Sequence, residues 1–135
     1  MDAKSLKVAA TGAIHVKNAA GEPLYEGDKP VRIIVHSPGS RAFGTVESRQ
    51  TARALKRMNE NDGKVTAPTA EERRAETAED LATLTVDFEH LSYDGKKGAE
   101  LFEAVYSDPE LGFITKQVTK HLADWGNFQL GSAGN

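Results

Sequence analysis

The chain has 135 residues, of which 27% are charged, and a formal net charge of −3. This length suits one domain with a modest core, and the lack of cysteine excludes disulfide scaffolds, thiolate metal sites and thiol catalysis. The negative charge gives no global field that favours nucleic acid, and no apolar run approaches the ~18 residues of a membrane span. The first residues hold no apolar signal-peptide segment, so we expect an intracellular protein.

The first third of the chain has the patterning of β-strands. Residues 13–17 alternate between apolar and polar, and a short extended piece at 24–26 lies between two turns. Residues 30–36 give the clearest strand, because they are rich in β-branched side chains and are bounded by proline and by residues 37–40. These segments predict a small antiparallel meander over residues 1–37, whose face needs a helix or a partner to cover it.

A helical pattern follows the meander. Ser37 or Ser40 can cap its start, and a thin apolar stripe runs through about Asn59. The stripe consists of Phe43, Val46, Ala54, Leu55 and Met58. Residues 61–63 end the helix with a residue that tolerates a positive φ, and residues 64–68 are predicted to form a linker.

A second helix starts at a capping box. Thr69 and Glu72 have the required spacing, which predicts a helix through about Asp80. Its continuation over residues 82–91 is ambiguous: leucines at helical spacing favour a helix, whereas the β-branched residues and the alternation there favour a strand. Of the two, we favour a helix up to about His90.

Two apolar helices complete the pattern after a turn at residues 93–98. The first is predicted over residues 99–106, and the second begins where Asp108 caps and Pro109 occupies the first turn. The second helix has one apolar face over four turns. Its members are Leu111, Ile114, Val118, Leu122 and Trp125. Residues 131–135 have the composition of a flexible tail.

The predicted fold class is therefore α+β. A small N-terminal antiparallel β meander (1–37) is followed by a mostly helical region (38–130) that packs on it in a single compact domain, with a tail at 131–135.

The sequence holds no clear catalytic constellation. None of its four histidines lies three or four residues from another. His15 and His36 could meet across neighbouring strands and form a metal site with Asp28 or Glu26, although solvent-facing strand histidines are the simpler interpretation. We therefore expect no enzyme activity, no cofactor and no metal. A small metal-dependent enzyme is the remote alternative.

A basic stripe is the main charge feature. Arg49, Arg53 and Arg57 follow one another at i, i+4 spacing, and an acidic segment lies beyond the linker. Its acidic members are Glu71, Glu72, Glu76, Glu79 and Asp80. Two solvated helix faces are the favoured interpretation, and the two faces could oppose each other across the linker. Nucleic-acid contact is weakly supported because no aromatic residues are interleaved, and a docking face for another protein is a third possibility.

Three aromatic residues near the C-terminus are candidates for partner binding. Phe113 does not fully share the apolar face of its helix, and Trp125 and Phe128 lie close to the predicted flexible end. Aromatic side chains dominate interface hot spots. Core packing is the favoured role of these residues, and partner anchoring is the alternative.

The order of several short motifs resembles that of tail-assembly-chaperone-like proteins of long-tailed bacteriophages. The resemblance covers most of the chain in outline. It rests on residues 21–24, 36–43, 93–96, 101–105, the Tyr-x-Asp-Pro at 106–109, Phe113-Ile114, Gln117-Val118 and Asn127-Phe128.

The resemblance implies a non-enzymatic assembly factor of the host cytoplasm. Such proteins coat the helical tape-measure protein and bring tail-tube subunits to it, and some also exist as a longer, frameshifted form. Self-association is compatible with this role. The alternative within phage biology is a structural virion protein of the tail or the head-tail connector.

Overall fold

The structure, a computed structural model, describes residues 1–64 and 67–130. In chain order the strands are β1 (Thr11–His15), β2 (Tyr25–Glu26), β3 (Lys29–Pro30), β4 (Arg32–His36) and β5 (Thr85–Glu89). The α-helices are α1 (Arg41–Glu60), α2 (Ala70–Leu84), α3 (Gly98–Ser107) and α4 (Gly112–Leu122). Short 3-10 helices cover Ala3–Leu6, Pro109–Leu111 and Trp125–Phe128. The predicted α+β class is confirmed.

A three-stranded antiparallel sheet has the order β1-β4-β5, and β2 and β3 form a small separate hairpin. The central strand β4 buries Ile33 and Val35 completely, while Ile14 and Phe88 come from the flanking strands. The sheet therefore contains two N-terminal strands and a third strand that follows α2, so its strands are not confined to residues 1–37.

The predicted helix through His90 is wrong. Helix α2 ends at Leu84, and β5 pairs with β4 so that Phe88 lies opposite Ile33. Thr85 stabilises the change of direction, because its hydroxyl donates to the Leu81 carbonyl oxygen at 2.7 Å and lies 2.7 Å from the Tyr106 hydroxyl. The β-branched residues of this segment favour a strand locally, and the strand forms because β4 is available to pair with it.

The predicted helix starts agree closely with the structure. Ser40 caps α1 by accepting a hydrogen bond from the Phe43 amide at 3.3 Å, and the capping box of Thr69 and Glu72 has both of its hydrogen bonds. Two predicted segments, the linker at 64–68 and the tail at 131–135, lie wholly or partly outside the described residues.

The C-terminal helix is shorter than the apolar stripe predicts. Asp108 accepts a hydrogen bond from the Glu110 amide, but a 3-10 turn follows, and α4 proper runs from Gly112 to Leu122. Trp125 therefore does not continue its apolar face. It belongs to the next 3-10 helix and is 55% exposed.

One hydrophobic core draws on the sheet and on all four α-helices. Helix α3 packs most extensively against α2, and α4 contacts β1. Helix α1 contributes Val46 alone among buried residues, with Ala42 and Phe43 partly buried against the core.

Candidate functional site

Helix α1 is attached to α2 by a network of ion pairs around Asp80. Asp80 is 7% exposed and accepts hydrogen bonds from Arg49 Nη1 (3.2 Å), Gln50 Nε2 (3.2 Å) and Arg53 Nη1 (2.9 Å). Arg49 Nη1 also donates to the Thr83 hydroxyl at 3.1 Å. A carboxylate on the otherwise apolar face of α2 thus has several donors, as a buried charge requires.

Further pairs extend this network along both helices. Glu79 lies 3.2 Å from Arg49 Nε and 3.2 Å from Arg53 Nη2, the latter as an ion-pair contact without hydrogen-bond alignment. Arg57 pairs with Glu76 one turn away. The hydrogen bond with Asp80 is the main cause that raises the pKa of Arg53, against the opposing effect of burial.

The three arginines of the predicted basic stripe are therefore engaged within the chain. Arg49, Arg53 and Arg57 face α2 rather than solvent, and each contacts a carboxylate of that helix. This geometry corresponds to two charged faces that oppose each other. Because these guanidinium groups already form ion pairs within the chain, few of their donors remain for an external partner.

A groove lies beside this network, between α2 and α4. Its first part is a cavity of about 360 Å³. The apolar lining consists of Phe43, Val46, Leu81, Leu84, Leu122 and Ala123, and the polar lining of Glu47, Gln50, Thr77, Asp80 and Thr119. Because α1 supplies four of these residues, its ion pairs with α2 also hold one wall of the cavity in place.

The second part of the groove is a cavity of about 320 Å³ that shares Thr77 with the first. The N-terminal halves of α2 and α4 line it, whereas their C-terminal halves line the first cavity. The two helices therefore run in the same direction along the groove. From Arg73 to Leu84 this wall is about 16 Å long at 1.5 Å per residue. We call the two cavities together the α2–α4 groove.

The charges along the groove are unevenly distributed. Arg73, Arg74 and Lys116 line the second cavity, and none of them makes an ion pair within residues 1–64 and 67–130. Asp108 lines the same cavity, but its carboxylate accepts hydrogen bonds from the Tyr93 hydroxyl and the Glu110 amide. One end of the groove is therefore basic, while Glu47 lines the other.

The aromatic candidates have three different environments. Phe128 is 1% exposed and contacts the His121 ring edge-on, so it is a core residue and not available as a partner anchor in this fold. Phe113 is half-buried and packs against the core. Trp125 remains at the surface, where its ring lies over Gly39.

The histidines form no metal site of the kind considered above. In the register of β1 and β4, His36 faces Thr11 and His15 faces Arg32, which separates the two histidines by about 13 Å along the strands. His15 Nε2 is hydrogen-bonded to the Leu24 carbonyl oxygen at 2.8 Å. Within the described ranges, no group of three or more His, Cys, Asp or Glu residues could hold a metal ion.

Comparison of the chain with protein-family models, curated proteins and solved structures finds no match. Across residues 1–64 and 67–130, no helix combines the length and the apolar character needed to cross a membrane.

The sequence alone does not point to the α2–α4 groove. In the sequence, Arg73 and Arg74 stand within an acidic segment, and Lys116 is one polar residue among several in the predicted C-terminal helix. Thr77 and Thr119 are the available signal, because short side chains on two neighbouring helices allow a gap between them. The sequence does not show how α2 and α4 are placed relative to each other, so these two threonines alone do not locate a groove.

Proposed function

We propose that this protein is a non-enzymatic morphogenesis factor of a long-tailed bacteriophage. It acts in the host cytoplasm as a tail assembly chaperone that binds the tape-measure protein and brings tail-tube subunits to it. The order of short motifs along the sequence supports the family, and the α2–α4 groove is the observation that supports a binding role.

The shape and lining of the groove suit an amphipathic helix. Leucines and Phe43 line one cavity, and the second extends the groove to about 16 Å, or about three helical turns. Helix-in-groove recognition uses apolar side chains at i, i+3, i+4 and i+7, which a groove of this length can accommodate. A tape-measure protein is a long helical molecule in the related systems, so it offers many such segments.

Co-expression tests the proposal. The chain is produced together with the tape-measure and tail-tube proteins encoded nearby, and each is followed by its solubility and by co-purification. We expect the tape-measure protein to become more soluble and to co-purify. If neither protein does so, the chaperone role is wrong.

A groove variant makes this test specific. Thr119→Arg places a long charged side chain in the first cavity, and Thr119 is exposed, so the core is left intact. Thr51→Arg is the matched control: Thr51 is also an exposed helical threonine whose hydroxyl bonds the carbonyl four residues earlier, and it does not line the groove. We expect Thr119→Arg, and not Thr51→Arg, to lose most of the co-purified tape-measure protein.

Mass spectrometry of purified particles separates this role from that of a structural virion protein. A chaperone is absent from finished particles, whereas a tail or connector subunit is present in stoichiometric amount. The second result would assign the chain to the virion instead.

A further inference from the structure

The α2–α4 groove combines a first cavity with many apolar lining residues and a second cavity with three cations that make no ion pair within residues 1–64 and 67–130. Arg73, Arg74 and Lys116 are exposed side chains on two different helices, and they line the same cavity. Because they belong to two helices, their proximity is a property of the fold rather than of one charged helix face.

The described lining of the second cavity keeps a net positive charge. Arg73, Arg74 and Lys116 face the single negative charge of Asp108 there, and the Glu72 carboxylate lies outside this lining, where it accepts a hydrogen bond from the Thr69 amide in the capping box. Glu71 and Glu110 are exposed, and neither lines the cavity. The N-terminus of α2 adds a positive partial charge at this end.

We infer that the groove binds an amphipathic helix that carries acidic side chains at the end lying over Arg73, Arg74 and Lys116. The apolar face of that helix fills the first cavity, and its acidic end occupies the second. The inference rests on the proposed function for the origin of the helix, but not for its charge pattern. Charge complementarity of this kind fixes orientation and partner choice more than total affinity.

Synthetic helical peptides provide the probes. All have three turns with the same stripe of leucines, and they differ only in whether three positions at one end hold Glu or Lys. Two sets place the charged positions at the N-terminal or the C-terminal end, so that either docking direction is sampled. Binding to the full chain is measured by fluorescence anisotropy at low and at high salt.

We expect one of the Glu peptides to bind about tenfold more tightly than its Lys counterpart at low salt, as the sum of three exposed pairs. This preference should largely disappear at about 1 M salt, where the screening length is about 3 Å. The triple variant Arg73→Glu, Arg74→Glu, Lys116→Glu should reverse the preference.

A control variant separates the local site from the net charge of the chain. Lys4→Glu, Lys7→Glu and Lys29→Glu change the charge equally at exposed positions that do not line the groove. This variant should keep the preference for Glu. Circular dichroism and thermal unfolding verify that both triple variants fold.

Several results would overturn the inference. These are equal affinity for the Glu and Lys peptides, no binding of either, loss of the preference in the control variant, or a dimer in solution that Thr119→Arg dissociates, which would show that a second copy fills the groove. Failure of the proposed function is distinct from these. If peptides bind with the expected preference while the tape-measure protein does not co-purify, the groove assignment stands and the phage role does not.

Discussion

At the scale of single residues, Asp80 is the centre of the contact between α1 and α2. It accepts from Arg49, Gln50 and Arg53, and its side chain is 10% exposed. Removing one member of a buried charge network leaves the others without their partner, which is more costly than losing a surface pair.

We therefore expect Asp80→Asn to lower the free energy of unfolding by about 2–4 kcal/mol. Glu79→Gln is the comparison, because Glu79 contacts the same arginines but its side chain is 52% exposed. Its loss should be below about 1 kcal/mol. Urea unfolding of both variants measures the difference, and equal losses would contradict a central role for Asp80.

His121 gives the fold a pH dependence with a definite sign. Burial lowers its pKa, with Asp124 opposing the shift, and Lys17, Lys120 and His15 line the same cavity. Between that lowered value and the ordinary pKa of about 6.5, the unfolded chain binds more protons than the native one. Stability due to His121 is thus present at neutral pH and is lost as the pH falls below about 6.5.

The prediction is a difference between wild type and His121→Gln. Both are unfolded in urea at about pH 7.5 and about pH 5.5, and the wild type should lose more of its free energy of unfolding on acidification than the variant does. The difference should be modest, since the histidine is half-buried. If the variant has the same or a steeper dependence, another group is responsible.

At the scale of elements, local signals in the sequence were sufficient where a helix start is decided locally. Ser40, Thr69 and Asp108 all accept the hydrogen bonds that their positions predicted. The local sequence does not decide the structure of residues 85–89, because their apolar spacing fits both a helix and a strand. The strand forms because β4 offers a partner and because the Phe88 ring packs at 4.7 Å from that of Phe102. Such contacts depend on tertiary structure.

The candidate site likewise has one part that the sequence indicates and another part that depends on tertiary structure. The basic stripe and the acidic segment were visible as spacing, and two solvated helix faces were the favoured interpretation. The burial of Asp80 among its donors depends on how α1 and α2 are placed in the fold. The α2–α4 groove requires knowledge of how two helices distant in sequence are placed. The cations that line it, Arg73, Arg74 and Lys116, acquire a common position only in the fold.

Helix α1 differs from the other α-helices because ion pairs, more than buried apolar side chains, attach it to the rest of the fold. All of its residues are described, and Val46 is the one buried side chain among them, so the C-terminal part is attached chiefly by Arg49, Arg53 and Arg57. Local stability follows buried apolar contact, which is scarce there. This predicts that the backbone amides of α1 after Val46 exchange with solvent faster than those of α2 and α3.

Hydrogen exchange followed by mass spectrometry measures this order. In the Asp80→Asn variant, which removes the carboxylate that Arg49 and Arg53 share, we expect exchange after Val46 to accelerate while α3 is unchanged. Helix α3 is a suitable internal reference because it buries Leu101, Phe102, Val105 and Tyr106. Equal protection of α1 and α3 in that variant would mean that packing, rather than charge, holds α1.

At the scale of the whole molecule, the last described turn closes over the first strand. The Ala9 amide donates to the Phe128 carbonyl oxygen at 2.7 Å, and Val8 forms a β-bridge with Gln129. A Cβ on Gly12 would lie 2.7 Å from the Phe128 ring, so β1 accepts that ring only because position 12 has no side chain. Both ends of the described chain therefore contribute to one core.

This arrangement separates two aromatic residues that the sequence presented as equivalent. Phe128 is 1% exposed and Trp125 is 55% exposed. Phe128→Ala should lower the free energy of unfolding by about 3–5 kcal/mol, as expected for an aromatic side chain removed from a core. Trp125→Ala should cost below about 1 kcal/mol, because more than half of this side chain is already exposed in the folded chain.

For partner binding, we expect Trp125 rather than Phe128 to be the important residue. An exposed tryptophan is a frequent interface hot spot, so we expect Trp125→Ala to keep the thermal unfolding of the wild type and to reduce co-purification with the tape-measure or tail-tube protein. Leu55→Ala is the control, since Leu55 is also 55% exposed but lies on α1, away from both chain ends. If Leu55→Ala and Trp125→Ala reduce co-purification equally, exposed apolar area in general, rather than this tryptophan, is what partners recognise.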